Sequence, residues 1–269
     1  MDLGLMGAAV CVQGGTKGMG RAAAECFAAD GARVVVLARE QAGIDDTVDT
    51  LTALGSPDAW GLRIDLLQPQ TIDAAFETIG QRWRELNTLV NAAGPGGTRT
   101  TFDGIADEEW QRAYELGAMS AVRCTRAALP LLRRATWARV VNVSAHSTKR
   151  QSETLAAYTA AKAAMTSISK NMSLALAKEE ILVNTVSPGS FASASFTAAM
   201  RNLPPERGLD PDNLYDCMRW IAEDYGHPAH MPRAGEPSEI GAVIAFVGSR
   251  RNSYMTGANI NVDGGSDFC

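Results

Sequence analysis

The chain has 269 residues, 46% of them hydrophobic, and a formal net charge of -5 at pH 7. With 25 basic against 30 acidic side chains, it lacks the excess positive charge of proteins that bind nucleic acid. The amino terminus has no basic segment typical of a signal peptide, and no apolar run is as long as a membrane span. The composition therefore predicts a cytoplasmic, globular protein with one large core and no membrane partner.

Cysteine and histidine form no recognisable metal or disulfide motif. The five cysteines are odd in number and show neither a Cys-x-x-Cys pair nor zinc-like spacing. Cys11, Cys26 and Cys124 lie in apolar runs, where we expect them to be buried as small hydrophobic residues. His227 and His230 are close in sequence but have no third ligand nearby, so the sequence predicts no metal site.

Apolar strand-like runs alternate with helical patterns along almost the whole chain. The predicted strands cover residues 8–12, 33–38, 60–64, 89–90, 140–143, 181–186 and 259–262. The predicted helices cover residues 21–29, 69–84, 107–134, 155–177 and 238–247, the third of them interrupted near Gly117 and Pro130. Continuous Val-rich runs between helices indicate a parallel sheet buried on both faces. We therefore predict an α/β, doubly wound, Rossmann-like fold in a single domain spanning residues 1–269.

Residues from about 190 to 234 depart from this alternation and are rich in proline and large apolar side chains. Loops of this length in compact domains are often lids, so we predict a substrate lid inserted here. We expect Phe196 and Met200 to contact a substrate, which favours a hydrophobic carbonyl or alcohol over a small sugar. The same side chains could instead form the core of the lid or an oligomer contact.

A glycine cluster follows the first strand directly and opens the first helix. Gly14, Gly18 and Gly20 would let backbone N–H groups and the helix N-terminus approach a diphosphate. The spacing differs from the G-x-G-x-x-G form, and a plain turn is the alternative interpretation.

Tyr158 and Lys162 are four residues apart in a predicted helix, which places both side chains on one face. A phenol with a pKa of about 10 is a poor acid–base catalyst near neutral pH. We expect the neighbouring ammonium to favour the phenolate and to lower the pKa of Tyr158. A surface tyrosine beside a solvated lysine is the alternative interpretation.

Together the two motifs resemble those of the short-chain dehydrogenase/reductase family, and the resemblance extends over nearly the whole chain. It implies a nicotinamide-dependent oxidoreductase that forms a homo-oligomer, often a tetramer. Tyr158 would be the general acid that protonates a carbonyl oxygen, and Lys162 would hold the nicotinamide ribose. Further matching segments are Asp65-Leu66, Asn91-Ala92-Ala93-Gly94, Pro188-Gly189, residues 233–240 and residues 256–265. The cofactor-binding residues implied in this way are Gly14, Thr16, Lys17, Gly18, Met19, Gly20, Arg39, Asp65, Leu66, Asn91, Ala92, Ala93, Gly94, Tyr158, Lys162, Pro188, Gly189, Phe191 and Ser193.

The chain departs from the family pattern at the serine that orients the substrate carbonyl. Counted back from Tyr158, the usual serine position is Ala145. Neighbouring strand positions face opposite ways, so the offset matters. We prefer Ser144 as the catalytic serine, with Ser147 as its competitor and as a substrate contact; closing the strand end is the structural alternative for Ser144.

A second departure is Gly117, where the family commonly has an asparagine at a helix irregularity that holds a proton-relay water. Glycine would keep the irregularity but supply no amide, so the relay would use another route or turnover would be slow.

The residues after the second strand indicate the cofactor. The position that would carry an acidic residue in an NAD enzyme is Ala38, and Arg39 follows it. Lys17 could reach the same phosphate from the glycine cluster. Two cations without a carboxylate at that position favour NADPH, with NAD(H) as the weaker cofactor, by charge complementarity. Two solvated basic side chains are the alternative.

The leading hypothesis is an NADPH-preferring enzyme that interconverts an apolar ketone and a secondary alcohol, with Tyr158 as acid and base. The alternative hypothesis is a nucleotide-binding sensor or scaffold of the same fold that has lost turnover. Gly117 and the displaced serine favour the alternative, and the retained Tyr158–Lys162 pair argues against it.

Overall fold

A computed structural model describes residues 2–96, 100–226 and 228–266, so His227 lies outside the described residues. Within them, seven parallel strands form one sheet in the order β3-β2-β1-β4-β5-β6-β7. The strands are β1 (Ala9–Gln13), β2 (Arg33–Ala38), β3 (Ala59–Arg63), β4 (Thr88–Asn91), β5 (Ala138–Val143), β6 (Ile181–Pro188) and β7 (Asn259–Val262). The helices are α1 (Gly18–Ala29), α2 (Gln41–Ala53), α3 (Pro69–Arg82), α4 (Asp107–Tyr114), α5 (Ser120–Leu132), α6 (Ala156–Leu176), α7 (Ala194–Arg201), α8 (Leu214–Tyr225) and α9 (Pro237–Val247).

Both faces of the sheet are covered by helices, which explains the continuous apolar runs. In β2, Val34 and Val36 join one core cluster, whereas Val35 and Leu37 join the other. The first cluster includes side chains of α1 and α9, and the second includes side chains of α3 and α5. Successive side chains of a strand point to opposite faces, so a strand buried on both faces needs apolar residues at every position. The predicted doubly wound, Rossmann-like single domain is confirmed.

The predicted long helix over residues 107–134 is divided into α4 and α5 by a π-helical turn, Glu115–Met119. Gly117 lies in that turn, as expected of a helix irregularity. Pro130 does not interrupt the helix, because α5 continues through it to Leu132. A proline has no N–H to donate to the carbonyl four residues earlier, so α5 lacks that one bond, to Arg126, and still continues for two more residues.

The sequence patterns missed three helices. Helix α2 follows β2, and helices α7 and α8 lie in the predicted lid. The lid has its own hydrophobic cluster, which includes Met200, Cys217, Met218, Trp220 and Ile221. The lid therefore carries a separate small core beside the sheet.

Cys11 and Cys124 are buried as expected, whereas Cys26 is only partly buried. Burial raises the pKa of the Cys124 thiol to about 12. In the part of the chain that the structure describes, no three His, Cys, Asp or Glu residues are grouped so as to hold a metal ion. No helix among those residues is long and apolar enough to cross a bilayer.

Candidate active site

The carboxyl ends of the central strands open into a cleft of about 790 Å³. The cleft lies where the strand order reverses between β1 and β4. Doubly wound sheets bind their ligands at this switch point, because the loops on either side separate there.

Glycines let two segments of backbone meet at the floor of the cleft. Gly14 has a φ of +77°, and a Cβ built there would lie 2.6 Å from the backbone nitrogen of Ala93. A Cβ on Gly20 would overlap the carbonyl oxygen of Gly14. Larger residues therefore cannot occupy these positions, and the backbone N–H groups that open α1 face the cleft. This arrangement fits a bound diphosphate.

All residues of the predicted cofactor set line the cleft except Asn91, Gly189 and Phe191. Asn91 is buried, and its Nδ2 donates to Oδ1 of Asn142 at 2.8 Å. A Cβ on Gly189 would lie 2.6 Å from the Cα of Asp263, so this glycine serves a close backbone approach. Phe191 is 7% exposed and packs in the core cluster beside α9. The structure therefore does not bring these three residues to the cleft wall, and each has a structural role elsewhere.

Tyr158 and Lys162 both line the cleft from one face of α6. Lys162 is 3% exposed, and its Nζ donates to the carbonyl oxygen of Val143 at 2.7 Å. A Cβ on Gly94 would lie 2.8 Å from that Nζ, so a glycine there leaves room for the ammonium.

Burial decides the protonation of this pair. Burial lowers the pKa of Lys162 to about 8 and raises the pKa of Tyr158 to about 12. The prediction of a lowered Tyr158 pKa is therefore wrong for this arrangement. Desolvation disfavours both charged forms, and the ammonium is directed at the carbonyl oxygen of Val143.

Neither candidate serine directs its hydroxyl freely into the cleft. Ser144 lines the cleft, but its Oγ donates to the carbonyl oxygen of Lys162 at 3.1 Å and lies 2.8 Å from Oγ1 of Thr166. Ser147 is buried away from the cleft wall, and its Oγ accepts from Oγ1 of Thr159 at 3.3 Å. Because successive strand residues face opposite ways, the one-residue offset from position 145 directs the side chain of Ser144 toward α6.

The two residues predicted from the lid do not reach the cleft either. Phe196 packs against Trp220 with ring centroids 4.9 Å apart, and Met200 is 3% exposed within the lid cluster. The expectation that Phe196 and Met200 contact a substrate is not supported by their placement, because the lid forms a core that takes up both side chains.

Gly117 leaves no room for a larger side chain. A Cβ built there would lie 2.8 Å from the Cβ of Ala161 and 3.2 Å from Cδ of Pro95. A larger side chain at this position would therefore contact both α6 and Pro95.

The predicted site residues omit five polar residues of the cleft wall, Gln13, Glu40, Glu109, Arg112 and Ser195. Glu40 directly follows Arg39, so a carboxylate beside a predicted phosphate contact was visible in the sequence. Glu109 and Arg112 are three residues apart on α4, a spacing that places them on one face.

Comparison with known proteins identifies relatives over almost the whole chain. The family model described as enoyl-(acyl carrier protein) reductase matches residues 14–267. A 3-oxoacyl-[acyl-carrier-protein] reductase of Salmonella typhimurium is 30% identical over 258 residues, which cover 94% of this chain and 95% of the relative.

Two solved structures share the fold along their whole length. L-Sorbose reductase from Gluconobacter frateurii, complexed with NADPH and L-sorbose, has a TM-score of 0.91 and 27% identity and covers 99% of this chain and 98% of its own. The RhlG/NADP complex of Pseudomonas aeruginosa has a TM-score of 0.85 and 28% identity and covers 98% of both chains.

Proposed function

We propose that the cleft binds NADPH in preference to NADH and reduces a ketone to a secondary alcohol. The chain belongs to the short-chain dehydrogenase/reductase family. As a member of this family, the chain is an NAD(P)-dependent oxidoreductase that acts on CH–OH groups. The observation that carries the proposal is that Tyr158 and Lys162 line the same cleft as the glycine loop. The reaction would run in reverse with the oxidised cofactor.

The residues present fit the cofactor along the length of the cleft. The backbone of Gly14, Gly18 and Gly20 would hold the diphosphate at the N-terminus of α1. Arg39 and Lys17 line the cleft beyond the end of β2, where they would bind the 2′-phosphate. Both NADPH and NADP occur in the similar structures, which supports this choice.

Tyr158 is the proton donor in this proposal. When bound, NADPH supplies the hydride. Because burial raises the pKa of Tyr158 to about 12, its hydroxyl stays protonated at neutral pH and can donate to a carbonyl oxygen. Lys162 holds the cofactor ribose, and its ammonium stabilises the phenolate that remains after proton transfer.

The substrate in this proposal is an apolar ketone or diketone that enters beneath a lid of residues 190–234. Ala113, Leu116 and Ala157 form an apolar wall of the cleft near Tyr158, which supports an apolar substrate. Phe196 and Met200 no longer support it, because they pack inside the lid. A sugar is the competing class, since a similar structure is that of an L-sorbose reductase.

The test follows oxidation of NADPH, and of NADH in parallel, with a panel of apolar ketones, diketones and L-sorbose. We expect faster turnover with NADPH and apolar ketones. Tyr158→Phe should lower kcat at least about 100-fold while NADPH still binds. Tyr254→Phe is the matched control, because Tyr254 is 99% exposed and does not line the cleft. Full turnover in Tyr158→Phe, or tight NADPH binding without turnover on every compound, would contradict the proposal.

We also propose a homo-oligomer, in keeping with the family. Leu174 on α6 is 69% exposed and Tyr114 at the end of α4 is 44% exposed, so both side chains are accessible to a second copy of the chain. Leu174→Glu should shift the solution mass toward the monomer in light scattering. An unmodified protein that is monomeric at micromolar concentration would contradict the proposal.

A further inference from the structure

An ion pair spans the cleft wall beside the residue that would bind the 2′-phosphate. Nζ of Lys17 lies 2.8 Å from Oε2 of Glu40, and both side chains are well exposed, at 69% and 64%. Lys17, Arg39 and Glu40 all line the cleft. Arg39 makes no ion pair within 4.0 Å of any residue that the structure describes, although its charge also contributes to lowering the pKa of the Glu40 carboxyl. One of the two cations expected to bind the phosphate is therefore already paired with a carboxylate.

The carboxylate of Glu40 is directed at Lys17 and not at its own helix. Glu40 immediately precedes α2, where a side chain commonly accepts a hydrogen bond from the first turn, but its carboxylate makes no such bond. Its backbone oxygen accepts from the nitrogen of Ile44 at 3.2 Å. The hydrogen bond from the Lys17 ammonium lowers the pKa of the Glu40 carboxyl, which favours the carboxylate form.

We propose that Glu40 competes with the 2′-phosphate of NADPH for Lys17 and thereby limits the preference of this protein for NADPH over NADH. The inference rests on the proposed function, since it presupposes that the nucleotide binds in this cleft. A phosphate that reaches Lys17 must displace the carboxylate or share the ammonium with it, and the two anions repel each other. NADH carries a neutral ribose hydroxyl there, which can donate to a carboxylate. Glu40 is thus a specificity-determining residue.

The inference is tested by measuring the dissociation constants of NADPH and NADH for the full-length protein, by nucleotide fluorescence or calorimetry. Glu40→Gln keeps the size of the side chain and removes its charge. We expect the dissociation constant of NADPH to fall about three- to tenfold and that of NADH to stay constant or rise. The gain should shrink as salt increases, because the charges are exposed. An unchanged ratio of the two constants would overturn the inference.

Glu179→Gln is the matched control for the change in net charge. Glu179 also pairs with a basic side chain, Arg133, but it does not line the cleft. We expect Glu179→Gln to leave both dissociation constants within about twofold, since exposed charges farther apart than a Debye length are screened. A gain equal to that of Glu40→Gln would assign the effect to net charge and overturn the inference.

The Lys17→Met background separates competition for Lys17 from simple repulsion by Glu40. Without the ammonium there is no pair to break, so Glu40→Gln should improve NADPH binding less in that background than in the unmodified protein. An equal improvement in NADPH affinity in both backgrounds would overturn the inference that Glu40 competes for Lys17. If the unmodified protein binds neither nucleotide, the proposed function fails as well; intact NADPH binding with no response to Glu40→Gln removes only this inference.

Discussion

The glycine loop and the segment predicted as a lid both contribute residues to the cleft wall, but they are held in place by different kinds of contact. In the glycine loop, backbone meets backbone, and an added Cβ at Gly14 or Gly20 would meet backbone atoms. In the lid, Trp220 donates from Nε1 to Asp224 at 2.7 Å and packs against neighbouring aromatic rings. The loop therefore has no room for an added Cβ at Gly14 or Gly20, whereas the segment predicted as a lid depends on large side chains that do not line the cleft.

Removing the central lid side chain should give the largest effect. Trp220 is 4% exposed and packs against Phe196 and Tyr225. We expect Trp220→Ala to destabilise the lid by about 3–5 kcal/mol, because it leaves a large cavity. Hydrogen exchange in α7 and α8 should become faster and the KM for the carbonyl substrate should rise, while NADPH affinity changes less than about twofold.

Tyr215→Ala is the control for that change, because Tyr215 lies on the same helix but is 60% exposed. It should leave hydrogen exchange in the lid unchanged. A large loss of NADPH affinity in Trp220→Ala would mean that the two regions are not independent.

Adding one carbon to the glycine loop should give the next largest effect. Gly20→Ala places a Cβ against the carbonyl oxygen of Gly14, a backbone atom that cannot move without shifting the loop. We expect a loss of about 1–3 kcal/mol in the free energy of unfolding and at least about tenfold weaker NADPH binding. Thermal unfolding and nucleotide titration measure the two effects.

Gly43→Ala is the matched substitution in a helix with space around it. Gly43 lies inside α2, where a new Cβ would meet Thr16 at an ordinary 3.7 Å. We expect it to stabilise the protein by about 0.5–1 kcal/mol, as alanine does inside helices. If both substitutions stabilise the protein, the loop can accommodate a Cβ on Gly20 beside the carbonyl oxygen of Gly14, and the prediction is wrong.

The same difference in contacts explains which parts of the molecule could be predicted from the sequence. A strand buried on both faces needs apolar residues at every position, and a close backbone approach needs glycine, so both could be recognised from residue type. Helix α2 was missed because Thr47, buried with Ile44 and Leu51, counts as polar in a sequence pattern although its Oγ1 is satisfied by a backbone carbonyl. Phe196 and Met200 were assigned to the cleft because their type does not reveal which side of a lid they face; only their packing partners decide it.

Gly117, in the π-helical turn between α4 and α5, provides a test of the family pattern. Gly117→Asn introduces the residue common in the family, but its Cβ would lie 2.8 Å from that of Ala161. We expect a loss of about 1–3 kcal/mol in stability and no gain in kcat. The cost of the asparagine should fall in an Ala161→Gly background, which removes the opposing methyl group. Faster turnover at unchanged stability would show that the helix contact yields and that the amide is accommodated.

The smallest expected effect comes from the buried ammonium of Lys162. Its pKa is about 8 in the folded protein against an ordinary 10.5, so between these values the unfolded chain binds more protons than the folded one. Stability contributed by this group is therefore lowest below pH 8 and rises through that interval. The free energy of unfolding should increase by about 1 kcal/mol from pH 8 to pH 9 relative to Lys162→Met.

Lys178→Met is the control for the loss of a lysine side chain, because Lys178 is exposed just beyond α6. Denaturant titrations at both pH values, without nucleotide, measure the difference. Tyr158 does not interfere in this range, because its folded pKa of about 12 and its ordinary value of 10 both lie above pH 9. The unmodified protein and Lys162→Met would show the same pH dependence of the free energy of unfolding if water reached the ammonium. In that case burial beside the carbonyl oxygen of Val143 would not control the charge of Lys162.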